Sequence, residues 1–402
     1  MASVTTNRSW LVPVFALFLA TFAVCTAELI IAGLLPAIAH DLDVDIPTAG
    51  LLITGYALGV AIAGPILALL TTGVLRRILL IAVMAVFVAG NILCALSGTY
   101  WMLLGSRLLI ACCQGLFFGV AMVIASRLAP EGRQGSAISL VLAGVTLANV
   151  LGVPVGTAIG NAYGWHTTFW VIAGAGAAAL AVLVFLIPSA AEHKRGKDDL
   201  CAELRAAVQP AVLFCYGIVI MFMIAVFTLF AYLVPLLTTV SGVPLEYIPL
   251  VLFGMGFAGF FGNLAGGRLG DWSSNATMIG VLAIITVITF GMAAVVTRTW
   301  AMVAALWAAW LVGFGFLAPV QSRILKEAAA APNFASTLIS TAFNIGIASG
   351  AAIGGAAVAA GWGYATLPLI DASFLSLALV GTLLLTGYDR RRRAAVVASP
   401  AE

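Results

Sequence analysis

Three ionisable side chains stand inside apolar runs of this chain: Glu28, Arg107 and Asp371. Glu28 lies in LVPVFALFLATFAVCTAELIIAGLLPAIA, with no other charge between residues 11 and 39. A carboxylate at membrane depth costs about 2.5–3.5 kcal/mol on insertion scales, and chains that carry one keep it in a protein-lined path for ions or solutes. The chemistry open to Glu28 is the binding and release of a proton. Arg107 lies well inside a second run, RLLIACCQGLFFGVAMVIASR, and Gln114 follows two helical turns later on the same face. Arg107 either snorkels to the nearer interface or lines a polar cavity, and the cavity is the preferred reading. Glu28 and Arg107 are each roughly 10 Å from the same boundary at 1.5 Å per residue, so they can share a depth. Proton exchange at Glu28, tuned by Arg107, is the expected role; a static Glu28–Arg107 bridge between two helices is the alternative. The Glu28 face also carries Thr21, Cys25 and Ala32, small or mildly polar as a cavity wall needs. Asp371, just inside the last run, is expected to snorkel to the outer surface. Cys25, Tyr56, Gln114, Asn149, Tyr232, Trp310 and Asn344 are further cavity candidates, each with packing or interfacial anchoring as the alternative.

These residues need elements that hold them at membrane depth. Of 402 residues, 63% are hydrophobic and 8% charged. Soluble domains carry about 25% charge, so a polytopic membrane protein is expected. Runs of about 20 apolar residues, enough to cross a bilayer, recur at 11–35, 48–71, 78–96, 101–125, 135–159, 167–188, 210–237, 247–267, 277–296, 300–322, 334–360 and 366–386. That predicts an all-α membrane protein of twelve spans. The first run is longer than the 7–15 apolar residues of a signal peptide, so it reads as a span. Sixteen of the 18 basic residues fall on one side of this topology. The positive-inside rule makes that side cytoplasmic and puts both termini there. Residues 189–209, SAAEHKRGKDDLCAELRAAVQ, form the densely charged internal stretch, either a short amphipathic surface helix or a solvated linker. They divide the chain into a six-helix bundle over 1–188 and another over 210–402, the latter ending in a short basic tail. The halves are weakly alike: Pro36 and Pro47 bracket the loop after span one, and Pro235 and Pro244 the loop after span seven. Two such halves are a common transporter plan, with the substrate site near the midplane.

Five stretches carry a family resemblance. GNLAGGRLGDW, with Arg268 and Asp271, resembles the cytoplasmic loop signature of the major facilitator superfamily. The first-half counterpart, GPILALLTTGVLRRIL, keeps Gly73, Arg76 and Arg77 but has threonines near where the signature has an aspartate. Arg107, Gly115 and Gly119 resemble the family's R-x-x-x-G-x-x-x-G element with a longer first spacing. GVTLANVLGVPVGTAIG, with Gly144, Gly152, Pro154 and Gly156, looks like the motif of the family's antiporters, with its G-P dipeptide split by Val153. Ordinary packing of small residues is the plainer account of that stretch. TAELIIAGLLPAIAHDLDV resembles the first span of drug:proton antiporters in a branch holding actinobacterial chloramphenicol exporters and sugar or nucleoside efflux permeases. The resemblance implies two pseudo-symmetric six-helix bundles, a central cavity lined by spans one, four, seven and ten, and gating roles for Arg76, Arg77, Arg268 and Asp271.

The expected function is therefore proton-coupled efflux, by alternating access, of a small amphipathic compound such as chloramphenicol; efflux of a sugar, nucleoside or other metabolite is the alternative. No HExxH and no serine–histidine pair within spans suggests an enzyme, and no nucleotide-binding loop suggests ATP. The expected partners are the small-molecule substrate, protons and the lipid bilayer. No cofactor, metal or nucleic acid is expected, and the chain is expected to act as a monomer.

Overall fold

Backbone that meets lipid must satisfy its N–H and C=O groups internally, so long apolar runs fold as helices. The computed structural model describes residues 10–71, 73–130, 132–186, 209–328 and 332–398, and every regular element among them is helical. The α-helices are α1 (Leu11–Asp41), α2 (Ile46–Leu70), α3 (Arg76–Ala95), α4 (Tyr100–Leu128), α5 (Gln134–Leu147), α6 (Val153–Tyr163) and α7 (Trp165–Leu186), followed by α8 (Pro210–Phe230), α9 (Leu233–Thr239), α10 (Ile248–Val295), α11 (Thr299–Gly313), α12 (Leu317–Glu327), α13 (Pro332–Ala359) and α14 (Leu367–Ala398). A π turn, Ala148–Gly152, joins α5 to α6, and a 3-10 turn, Phe314–Phe316, joins α11 to α12. The linker expected at 189–209 lies, apart from Gln209, outside the described residues.

Eleven helical segments among the described residues are long and apolar enough to cross a membrane. One of them contains α10, whose 48 residues would reach roughly 72 Å at 1.5 Å per residue. The hydrocarbon core is only about 30 Å thick. Ser273 breaks the helix with extended backbone (φ −160°, ψ 102°). Its two parts are separate crossings, which gives the twelve spans expected.

The described residues pack as two units. The first takes those within Met1–Lys197, Ala231–Thr239 and Val243–Gly256; the second takes those within Asp198–Phe230, Val240–Gly242 and Phe257–Glu402. Glycines draw the helices together in the same pattern in both. In the first, Gly152 lies on Thr26 and Gly156 on Ile30, which seats span five on span one, while Gly59 meets Leu108 and Gly64 meets Gly115, which seats span two on span four. In the second, Gly350 lies on Ile224 and Thr228, seating span eleven on span seven. Gly262, Gly266 and Gly270 meet Leu311, Gly315 and Pro319, seating span eight on span ten. Corresponding pairs lie about two hundred residues apart, so the faint resemblance of the proline-bracketed loops belongs to a repeat of the whole packing plan.

Local chemistry sets the helix ends. Thr99 caps α4 by accepting from the Met102 amide at 3.3 Å. Asp45 caps α2 by accepting from the Thr48 amide at 2.9 Å. The Thr48 hydroxyl and amide hold the Asp45 carboxyl below the usual range, because both hydrogen bonds favour the charged form. Between α6 and α7 the chain reverses at Gly164, whose φ of +86° suits a residue without Cβ.

Candidate functional site

The π turn in span five follows from its proline. Pro154 has no N–H, so the ordinary helical bond back to Val150 cannot form. Val153 instead donates five residues back, to the Ala148 carbonyl. Beside Pro154 the helix is thus locally widened, a feature often found at functional positions. The glycines of this stretch face α1: Gly144 lies on Phe18 and Thr21, Gly152 on Thr26, and Gly156 on Ile30. They bring span five against the helix that carries Glu28.

Around Glu28 three helices contribute side chains. The Gln114 amide, from α4, donates to Glu28 Oε2 at 2.6 Å. The Tyr56 hydroxyl, from α2, donates to Gln114 Oε1. The Arg107 guanidinium carbon lies 3.9 Å from the centre of the Tyr56 ring, a cation–π contact. Arg107 also donates from Nη1 to the Ala27 carbonyl and from Nη2 to the Glu28 carbonyl at 3.2 Å. Glu28, Gln114, Tyr56 and Arg107 therefore form a closed ring of contacts. Arg107 is fully buried, and Tyr56 and Gln114 are buried, whereas Glu28 keeps partial exposure. Cys25, one helical turn before Glu28, is buried.

The guanidinium thus grips main-chain oxygens of α1 and does not form the static bridge to the Glu28 carboxylate. α1 crosses α4 closely enough that the fork of Arg107 reaches the carbonyls first, and Gln114, two turns along, reaches the carboxylate. The remaining candidates lie apart from this ring. Asn149, in the π turn, donates back to the Val145 carbonyl at 3.0 Å. Tyr232 is buried in the interruption between α8 and α9, with its hydroxyl against Gly50. Both belong to the first unit. In the second, Trp310 tilts against Phe230 with ring centres 5.7 Å apart. Asn344 is buried, donates to the Ser340 carbonyl at 3.0 Å and leaves Oδ1 without a partner.

A sequence profile described as Major Facilitator Superfamily matches residues 17–332. The chain belongs to the major facilitator superfamily. It is 36% identical over 372 residues to the inner membrane transport protein YdhP of Escherichia coli (strain K12), covering 92% of this chain and 94% of that protein. It is 33% identical over 389 residues to an uncharacterised MFS-type transporter, YtbD, of Bacillus subtilis (strain 168), covering 96% of each. Among solved structures it resembles a bacterial homologue of the human lysosomal transporter Spinster, in an inward-facing and occupied conformation. That match has a TM-score of 0.73 and 14% identity, and covers 96% of this chain and 98% of the other. At that identity the likeness shows the fold alone.

The four loop residues singled out by motif behave differently in this transporter. Arg77, at the start of α3, donates to the Val184 carbonyl at the end of α7 at 2.8 Å; Arg76 precedes it and is half-buried. Arg268 and Asp271 lie exposed on α10, in the turn before Ser273. The strong ion pair of the second unit is elsewhere. Arg323 Nη2 lies 2.7 Å from Asp389 Oδ2, Arg323 Nη1 donates to Asn275 Oδ1, and Asn275 Nδ2 donates to the same Asp389 oxygen at 3.2 Å. This cluster joins α10, α12 and α14. In the sequence Arg323 stands out only as one of the basic residues of the cytoplasmic side, and neither Asn275 nor Asp389 is marked by a motif. A faint signal existed: Asp389 is a single acid at the end of the last span, directly before four arginines.

Proposed function

We propose that this transporter exports a small amphipathic compound in exchange for protons, by alternating access, and that Glu28 carries the exchanged proton. The observation that supports this reading is the Gln114–Glu28 hydrogen bond beside a buried Arg107. A partly exposed carboxylate can take up or lose a proton, and Gln114 and Arg107 hold it in place while it does so.

Gln114 suits both states of that carboxylate. With Glu28 ionised, the amide N–H donates to it and the Tyr56 hydroxyl donates to the amide oxygen, as seen. With Glu28 protonated, a turned amide accepts from the acid and donates to the Tyr56 hydroxyl, since a carboxamide and a hydroxyl each donate and accept. The Glu28–Gln114 and Gln114–Tyr56 links can therefore both persist through a proton cycle. A substrate that binds beside Glu28 changes its proton affinity, and the proton changes substrate affinity by the same factor. Each proton entering down the membrane potential supplies about 2.3 kcal/mol per 100 mV. The basic side is the cytoplasmic one in this reading.

The test is chloramphenicol transport and proton movement in vesicles carrying the reconstituted protein. Wild type should release protons on substrate addition, and Glu28→Gln should bind substrate without release. Undiminished proton release from Glu28→Gln removes Glu28 from the mechanism. Proton-coupled efflux of a sugar or nucleoside, with no movement of chloramphenicol or other amphipathic drugs, replaces the substrate class.

A further inference from the structure

Asp371 does not reach the surface as expected. It is 5% exposed, and its Oδ1 has no hydrogen-bond partner. It sits about one turn into α14, beyond the 3-10 turn Tyr364–Thr366. α14 packs along α8. Gly381 marks the register: a Cβ there would lie 3.3 Å from Ile218 Cγ1 and 3.9 Å from Phe214 Cε1. Spans seven and twelve run in opposite directions, so going back along α14 to Asp371 means going forward along α8 to Ala225–Thr228. Thr228 is already committed, donating to the Ile224 carbonyl at 2.7 Å.

Among the described residues, no ion pair to this carboxyl is found. Between Pro210 and Phe230, α8 carries no Asp, Glu, Lys, Arg or His. Its titratable groups, Cys215 and Tyr216, lie at its far end, level with Gly381. On α14 the next ionisable residue is Tyr388, and Asp389 beyond it is held by Arg323. Tyr364 is the titratable group of the preceding turn. A buried, unpaired carboxylate neutralises rather than persists. A hard metal cation would need several oxygen ligands, and among the described residues no group of three or more His, Cys, Asp or Glu stands together.

We propose that Asp371 is a second proton-binding site, in the unit that does not hold Glu28, and that it carries a proton in this packed state. The proton exchanges with the aqueous phase at the end where α14 begins, about one turn away. Losing it requires α14 to loosen from α8, so proton occupancy and that packing are linked and each favours the other. The site stands independently of the role proposed for Glu28.

Infrared spectroscopy of the reconstituted protein tests this. Asp371 is the one aspartate within an apolar run, so labelling aspartate with ¹³C at the side-chain carboxyl picks it out. Wild type should show an isotope-shifted carboxylic-acid C=O band at neutral pH. The band should be lost in Asp371→Asn and kept in Glu28→Gln. Absence of an isotope-sensitive acid band from wild type at neutral pH overturns the proposal, as does its persistence in Asp371→Asn. The wild-type isotope shift decides the matter even where the asparagine variant fails to fold.

Discussion

Gln114 is the residue on which the site closes. Its carboxamide is the one side chain bonded to both Glu28 and Tyr56. Replacing it with leucine leaves a carboxylate and a hydroxyl without partners, and an unsatisfied buried polar group costs about 1–3 kcal/mol. Gln114→Leu should therefore lower the melting temperature in detergent and abolish coupled transport. Tyr56→Phe removes one hydroxyl but keeps the ring over Arg107, so its loss of stability should be smaller than that of Gln114→Leu. Equal losses in the two variants would mean that the amide does not link Tyr56 to Glu28. Neither partner of Gln114 was legible in the sequence. The two-turn spacing from Arg107 placed the amide on the right face, but a helical face does not say which neighbouring helix it meets.

At the scale of elements, glycine placement decides which helices approach. Gly152 and Gly266 sit where any Cβ would collide, with the Thr26 side chain and with Gly315 backbone respectively. Gly119 and Gly280 have nothing within 4 Å of a built Cβ. Overpacking a tight contact costs about 1–3 kcal/mol, so Gly152→Val and Gly266→Val should each destabilise by that order, while Gly119→Ala and Gly280→Ala change little. Thermal unfolding in one detergent compares the four. Collapse of either alanine variant would contradict the assignment of open space. The sequence pointed to Gly144, Gly152 and Gly156 as a packing face, and the structure supplies α1 as its partner. It gave no sign that Pro154 would produce a π turn, because that depends on which carbonyl the displaced amides can still reach.

At the scale of the molecule, the same two glycine-mediated pairings recur in each half, yet the halves differ at their arginine-rich ends. The first ties Arg77 to a main-chain carbonyl of α7, and the second ties Arg323 to Asn275 and Asp389. Arg323→Met would leave Asp389 without its cation, and the expected destabilisation is about 1.5–3 kcal/mol, as for a lost hydrogen bond to a charged group. The double variant Arg323→Met with Asp389→Leu should recover part of it, because replacing both partners removes the stranded charge. A double variant no more stable than Arg323→Met alone would show that Asp389 does not depend on this arginine. Unfolding midpoints of the two single variants and the double variant settle which holds.

The sequence by itself determined the environment of the chain and its number of crossings. Composition and run length answer to the bilayer, which demands apolar helices of about 20 residues wherever backbone meets lipid. It also singled out Glu28, Arg107 and Asp371, because charge within such runs is costly enough to stand out. What only the tertiary structure decided is what each of them touches. Arg107 turned to main-chain carbonyls, Gln114 took the carboxylate, and Asp371 stayed buried instead of reaching the surface. Hydrogen-bond partners are set over a few ångströms by helix rotation and register, and those depend on side-chain packing across helices far apart in the chain.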